Sequence, residues 1–235
     1  MNDKIQKINW KREQLWKGCM LATIAHAIMV AHYPEISNEH SWDGMNYSVQ
    51  DSEGSRGTIT FHPEICVGAF RNDNSDRLNS IDNCRQFRKY FEGAPKEIIN
   101  ISEEEALQYL LDDIDGDTLP LITTAFWVVD NEFYTIDSFK DMYNNGGFLL
   151  ERQLMDIDIA IKSWIEYYDM SLKQGELLKI IFNKKINQRT ERIILIKDEI
   201  KLIGTNDRQG LRESRISFKE IGITFKKSWN EFLNL

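Results

Sequence analysis

Apolar residues recur on almost every face of residues 15–33, LWKGCMLATIAHAIMVAHY, and the pattern stops at Pro34. A helix with a solvent side confines its apolar residues to a stripe, so this segment reads as a buried core helix. Pro34 ends it, because the residue before a proline is pushed out of helical backbone. The period then changes from 3.6 to 2. In MNYSVQ, residues 45–50, Tyr47 and Val49 alternate with Asn46, Ser48 and Gln50; in TITF, residues 58–61, Ile59 and Phe61 alternate with Thr58 and Thr60. Both are half-buried strand patterns. Between them DSEGSRG supplies turn residues, with Gly54 and Gly57 free to take positive φ. ICVGAFR, residues 65–71, reads as a third strand in which Gly68 marks a bulge or a close approach. The expected start is a helix followed by an antiparallel meander.

Further on, helices are expected over 81–91 and 102–113, the second opened by Ser102 with Glu105 three residues later, the spacing of a capping box. LPLITTAFWVVDNEFYTID reads as two strands joined at Asp130–Asn131. Residues 138–168 turn helical with a break at Gly146–Gly147, and another helix covers 172–184. RIILIKDEIKLIG, residues 192–204, fits either a hairpin turning at Lys197–Asp198 or one helix, and its β-branched content favours strands. SWNEFLNL at the C-terminus begins a short helix. The expected fold class is α+β: an antiparallel sheet packed on a buried N-terminal helix, with a largely helical C-terminal half. One domain over residues 1–235 is the simplest organisation, with any subdivision near residues 146–147.

Composition narrows the function classes. No apolar run approaches the roughly 18 residues a membrane helix needs, and the polar N-terminus MNDKIQKINWKREQ lacks the core of a signal peptide, so no membrane role and a cytoplasmic location are expected. Cys19, Cys66 and Cys84 have no paired spacing, which argues against a disulfide framework or a zinc site. No phosphate loop, no GxGxxG after a strand and no HExxH is present, so neither cofactor nor metal is expected. Few prolines and many Ile, Asn and Lys give the composition a bacterial or phage-like cast.

The formal charge of −8 is unevenly spread. Residues 176–235 carry 13 Lys/Arg against 8 Asp/Glu, the other 175 residues carry 16 against 29, and residues 101–137 contain no Lys or Arg. An acidic middle and a basic end fit a chain that docks a charged protein partner or a copy of itself as a homo-oligomer, and equally a chain in which the two meet each other. The basic end is also a candidate nucleic-acid contact.

Candidate chemistry concentrates in EHSWDGMNYSVQDSEGSRGTITF, residues 39–61. At about 3.3 Å per strand residue, the paired strands separate its two ends by roughly 15–20 Å. His40 with Asp43, near Tyr47, forms a candidate acid–base group for a small hydrolase or nuclease, with Arg56 or Arg71 holding an anionic substrate. Trp42, Tyr47, Asp51 and Arg71 are candidate recognition residues. The plainer alternatives are a turn at Asp43–Gly44 anchored by Trp42, and an Asp51–Arg56 ion pair steadying its loop. Cys19, following Gly18 near a helix start, is a candidate nucleophile or a core cysteine, and His26 seven residues on lies about 10 Å away along the helix. His26 and His32 read as core histidines. RNDNSDR, residues 71–77, reads as a solvated loop. The aspartates at 112, 113, 115 and 117 fail the calcium-loop spacing and read as a helix end and turn. The leading expectation is a cytoplasmic binding protein, of an immunity or phage-defence kind, that docks a charged protein partner; six tryptophans and uneven charge suit an interface. The alternative is the His40–Asp43 enzyme.

Overall fold

A computed structural model describes residues 5–226; the expected C-terminal helix lies outside them. β1 (Gln6–Ile8) leads into α1 (Arg12–Met29), followed by β2 (His40–Asp43), β3 (Asn46–Gln50), β4 (Arg56–Phe61) and β5 (Cys66–Arg71). Next come α2 (Ile81–Arg85), α3 (Lys96–Glu104), β6 (Leu111–Ile114), β7 (Asp117–Pro120), β8 (Thr124–Val129) and β9 (Glu132–Thr135). The rest is α4 (Phe139–Asn144), α5 (Ile157–Tyr167), α6 (Leu172–Asn187), β10 (Ile193–Leu195), α7 (Lys197–Lys201), α8 (Arg208–Glu220) and β11 (Ile223–Phe225). The class is α+β. A seven-stranded sheet has the order β1-β9-β8-β5-β4-β3-β2. Among the described residues, no helix is long and apolar enough to cross a membrane.

The chain divides into two compact units, each built from two pieces: unit 1 is Met1–Leu15 with Asp43–Glu151, and unit 2 is Trp16–Trp42 with Arg152–Leu235. In unit 1 the β3–β4 hairpin pairs Asn46 with Thr60 and Gln50 with Arg56, the register that alternation in both strands demands. Gly68 pairs with Phe126, whose ring lies where a Cβ would stand, so the glycine marks a close approach. At the β8–β9 joint Asp130 and Asn131 take φ of 53° and 61°, the two-residue hairpin turn those residue types favour. One sheet face, with Val67, Ala69, Ala125 and Trp127, packs on Tyr90, Phe91, Ile98, Leu107 and Leu110. On the strands' other side Trp10 stands edge-on to Phe126 and Phe133.

Two local expectations for unit 1 are corrected. Ser102 caps nothing: α3 starts after Pro95, and the Ser102 hydroxyl donates to the Ile99 carbonyl at 2.7 Å inside the helix. Glu105 instead accepts from the Asn46 amide at 2.7 Å. The DDIDGD run is a hairpin, not a helix end, because Asp115 (φ 56°) and Gly116 (φ 84°) form a tight reversal and Asp113 accepts from the Gly116 N–H at 2.9 Å.

Unit 2 is largely helical. Its share of α1 is buried, with Cys19, Leu21, Ala22, Ile24, Ala25 and Ile28 fully enclosed. Ser171 and Gln174 form a capping box at the start of α6. The ambiguous residues 192–204 are neither hairpin nor single helix. β10 pairs in parallel with β11, Ile193 against Ile223, and α7 begins directly after it, with Glu199 accepting from the Ile196 N–H at 3.0 Å.

Candidate functional site

The structure does not assemble the expected acid–base group. Along β2 burial alternates, placing His40 and Trp42 on the buried side and Asp43 on the exposed one. Three residues apart in a strand means opposite faces. Asp43 accepts a hydrogen bond from the Tyr109 hydroxyl at 2.8 Å in unit 1. His40 belongs to unit 2, where its ring stands edge-on to Trp164 at 5.2 Å and to His26 at 5.7 Å. Burial, then the neighbouring His26 and Arg152, hold its imidazole well below the ordinary histidine range. The ring is therefore neutral at physiological pH. Tyr47 is fully buried in β3.

His26 is a core histidine with one polar atom left over. A ring nitrogen, Nε2, lies 3.0 Å from the Ile36 carbonyl, while Nδ1 is buried without a partner. Burial pushes its pKa down to about 4, opposed by that hydrogen bond. Glu39 accepts from the Tyr168 hydroxyl at 2.7 Å, and Arg152 lies over the Trp164 and Tyr167 rings. His32 is bonded to the Ile203 carbonyl at 2.7 Å. Cys19 sits in the third turn of α1, away from the helix N-terminus that would activate a thiol.

Trp42 anchors the interior of unit 2 and presents no recognition surface: its indole N–H donates to the Thr23 hydroxyl at 2.8 Å and its backbone N–H to Glu220 at 2.9 Å. Asp51 holds its own loop, accepting from the N–H groups of Glu53 and Ser55, both at 2.9 Å. Arg56 and Arg71 are brought together as cross-strand partners. Asp112 lies against both: Arg71 bonds it directly and also bonds Asp73, while Arg56 stands at 3.7 Å. Arg71 thereby holds Asp112 below the ordinary carboxylate range. The expected Asp51–Arg56 pair gives way to this one, since each acid already has closer donors. The 71–77 loop is likewise tied down, through Arg77 to Asp137 at 2.8 and 2.9 Å and Asn72 to Thr123 at 2.9 Å. Among the described residues, no group of three or more His, Cys, Asp or Glu side chains is placed to hold a metal ion.

A different surface, in unit 2, gathers positive charge. In β10 and β11, Ile193, Leu195, Ile223 and Phe225 are buried, so the alternate positions Arg192, Ile194, Thr224 and Lys226 share the outward face of the ribbon. Beside it α8 buries Leu211, Ser214 and Phe218. Arg208, Arg212, Arg215 and Lys219 follow one another at steps of four, three and four residues, which places them in one stripe along the helix. Arg215 and Lys219 join the ribbon residues around a groove of about 420 Å³ whose lining, among the described residues, holds no acid. Within it the Arg192 guanidinium donates to the Thr224 hydroxyl at 3.2 Å. Among the described residues Arg215, Lys219 and Lys226 enter no ion pair. Ile194 stands in their midst with 53% of its surface exposed.

Four cations around a concave surface attract carboxylate or phosphate groups. The excess of Lys/Arg after residue 176 points towards this region; the stripe on α8 is the sequence signal of the face itself. No family model matches the chain, and no curated protein or solved structure is significantly similar to it.

Proposed function

We propose that this chain is a cytoplasmic macromolecule-binding protein that docks a charged protein partner, receiving an acidic surface in the groove between α8 and the β10–β11 ribbon. One observation carries the reading: the two units differ in charge, and four cations of unit 2 collect around a groove whose described lining holds no acid. Unit 1 holds 12 Lys/Arg against 23 Asp/Glu, a balance of −11, whereas unit 2 holds 17 against 14, a balance of +3. A concentrated field of one sign steers association and selects partners of the opposite sign. An immunity-type or phage-defence component fits this reading, because such a protein acts by surface complementarity and needs no turnover. The enzyme reading draws no support from the geometry, since His40 is enclosed and Asp43 faces the other way.

Affinity purification from the native host tests the proposal, with the wild-type chain beside the double variant Arg215→Glu, Lys219→Glu. The expected result is an acidic protein retained by the wild type at about 0.1 M salt and lost by the variant. Equal recovery by both chains, or no partner with either, would overturn it.

A further inference from the structure

Resting on that docking reading, we infer that the groove receives an acidic segment of another protein that also brings an aliphatic side chain to Ile194. Protein interfaces have an apolar centre inside a polar rim, with arginine enriched. This groove has that anatomy in miniature: exposed Ile194 lies among Arg192, Arg215, Lys219 and Lys226. Arg215 and Lys219 are one helical turn apart, a rise of about 6 Å. Carboxylates four residues apart on a partner helix have that same spacing, and alternate carboxylates on an extended strand, at about 6.6 Å, nearly match it. Sites for single-stranded nucleic acid add aromatic platforms on which bases stack. Among the described residues of the lining, the one aromatic ring, Phe225, is 3% exposed and turned to the interior. An aliphatic group at the centre of a phosphate-binding track would be left uncovered, whereas an acidic segment with a leucine or isoleucine covers it.

Fluorescence anisotropy on the purified full chain tests this with three labelled probes: a short poly-glutamate peptide, the same peptide with two glutamates replaced by leucine, and a single-stranded oligonucleotide of similar charge. The leucine-bearing peptide is expected to bind on the order of tenfold tighter than poly-glutamate. Ile194→Ser should erase that preference while leaving poly-glutamate binding intact, which also shows that the variant is folded. Arg215→Glu with Lys219→Glu should abolish both. Tighter binding of the oligonucleotide, or a leucine preference that survives Ile194→Ser, overturns the inference. So does self-association of the unlabelled chain that the charge reversals remove, which would assign the groove to a second copy. If the native partner is captured through the groove but the peptides show no leucine preference, the docking proposal stands and this inference alone falls.

Discussion

Arg56 and Arg71 in unit 1 face each other across two strands, and Asp112 and Asp73 meet them there. Arg215 and Lys219 in unit 2 stand one turn apart with Arg192 and Lys226 beside them, and among the described residues no acid lines their groove. The first cluster is what a stable fold does with like charges that topology forces together: it interposes a carboxylate. The second leaves mutual repulsion in place although the chain has acids to spare. Charges arranged against local stability are the ones to read for function. That distinction, more than the number of cations, separates the two regions.

The sharpest way to break the contrast is to remove one cluster while leaving the other. Gly210, near the start of α8, lies so close to the Ala31 backbone that a Cβ there would fall 2.1 Å from its carbonyl oxygen. Gly210→Ala should therefore displace α8, costing about 3 kcal/mol of unit 2 stability and groove binding with it. Thermal unfolding followed by circular dichroism, read beside peptide binding, checks both.

Acid should weaken unit 2 through its buried imidazoles. His26 titrates near 4 when folded and near 6.5 when unfolded, so between those values the unfolded chain binds more protons and stability falls as pH falls. His40, also depressed, adds in the same direction. From pH 7 to pH 5 the His26 contribution alone amounts to a loss of about 2 kcal/mol. Denaturant titrations at the two pH values measure it, and His26→Gln should flatten the dependence.

The smallest effects test the cation clusters directly. Asp112→Asn leaves Arg56 and Arg71 opposed without their shared acid and should cost about 1 kcal/mol, less at high salt because the site is partly exposed. Arg215→Glu removes no ion pair among the described residues and should change stability by less than about 0.5 kcal/mol. Equal losses in the two variants would erase the distinction between the regions.

Local patterns in the chain were legible where local physics decides the outcome. α1 declared itself by apolar residues on every face, β3 and β4 by strict alternation, and the β8–β9 turn by Asp130–Asn131. What depends on distant partners was not. β10 is a strand because β11 joins it some 28 residues on, and nothing in residues 192–204 announces that. Trp42 has the composition of a recognition residue; its burial follows from Thr23 and Glu220, which sequence order keeps far away. Two signals lie in the sequence itself. The three-residue separation of His40 and Asp43 already implied opposite strand faces, and the four-three-four spacing on α8 already drew a cationic stripe. Arg192 and Lys226 could join that stripe only once the parallel ribbon had formed.

The division of unit 2 into two stretches has a consequence for the order of synthesis. α1 ends at Met29, yet the unit's last described strand ends at Phe225, after all of unit 1 has been made. At about 5–20 residues per second, the ribosome takes roughly 10–40 s to cover that interval. For most of it the largely buried α1 waits for the rest of unit 2, while unit 1 can close as soon as Glu151 has emerged. This protein's exposure to misassembly is thus set less by its final stability than by how long a newborn helix can be kept from other company.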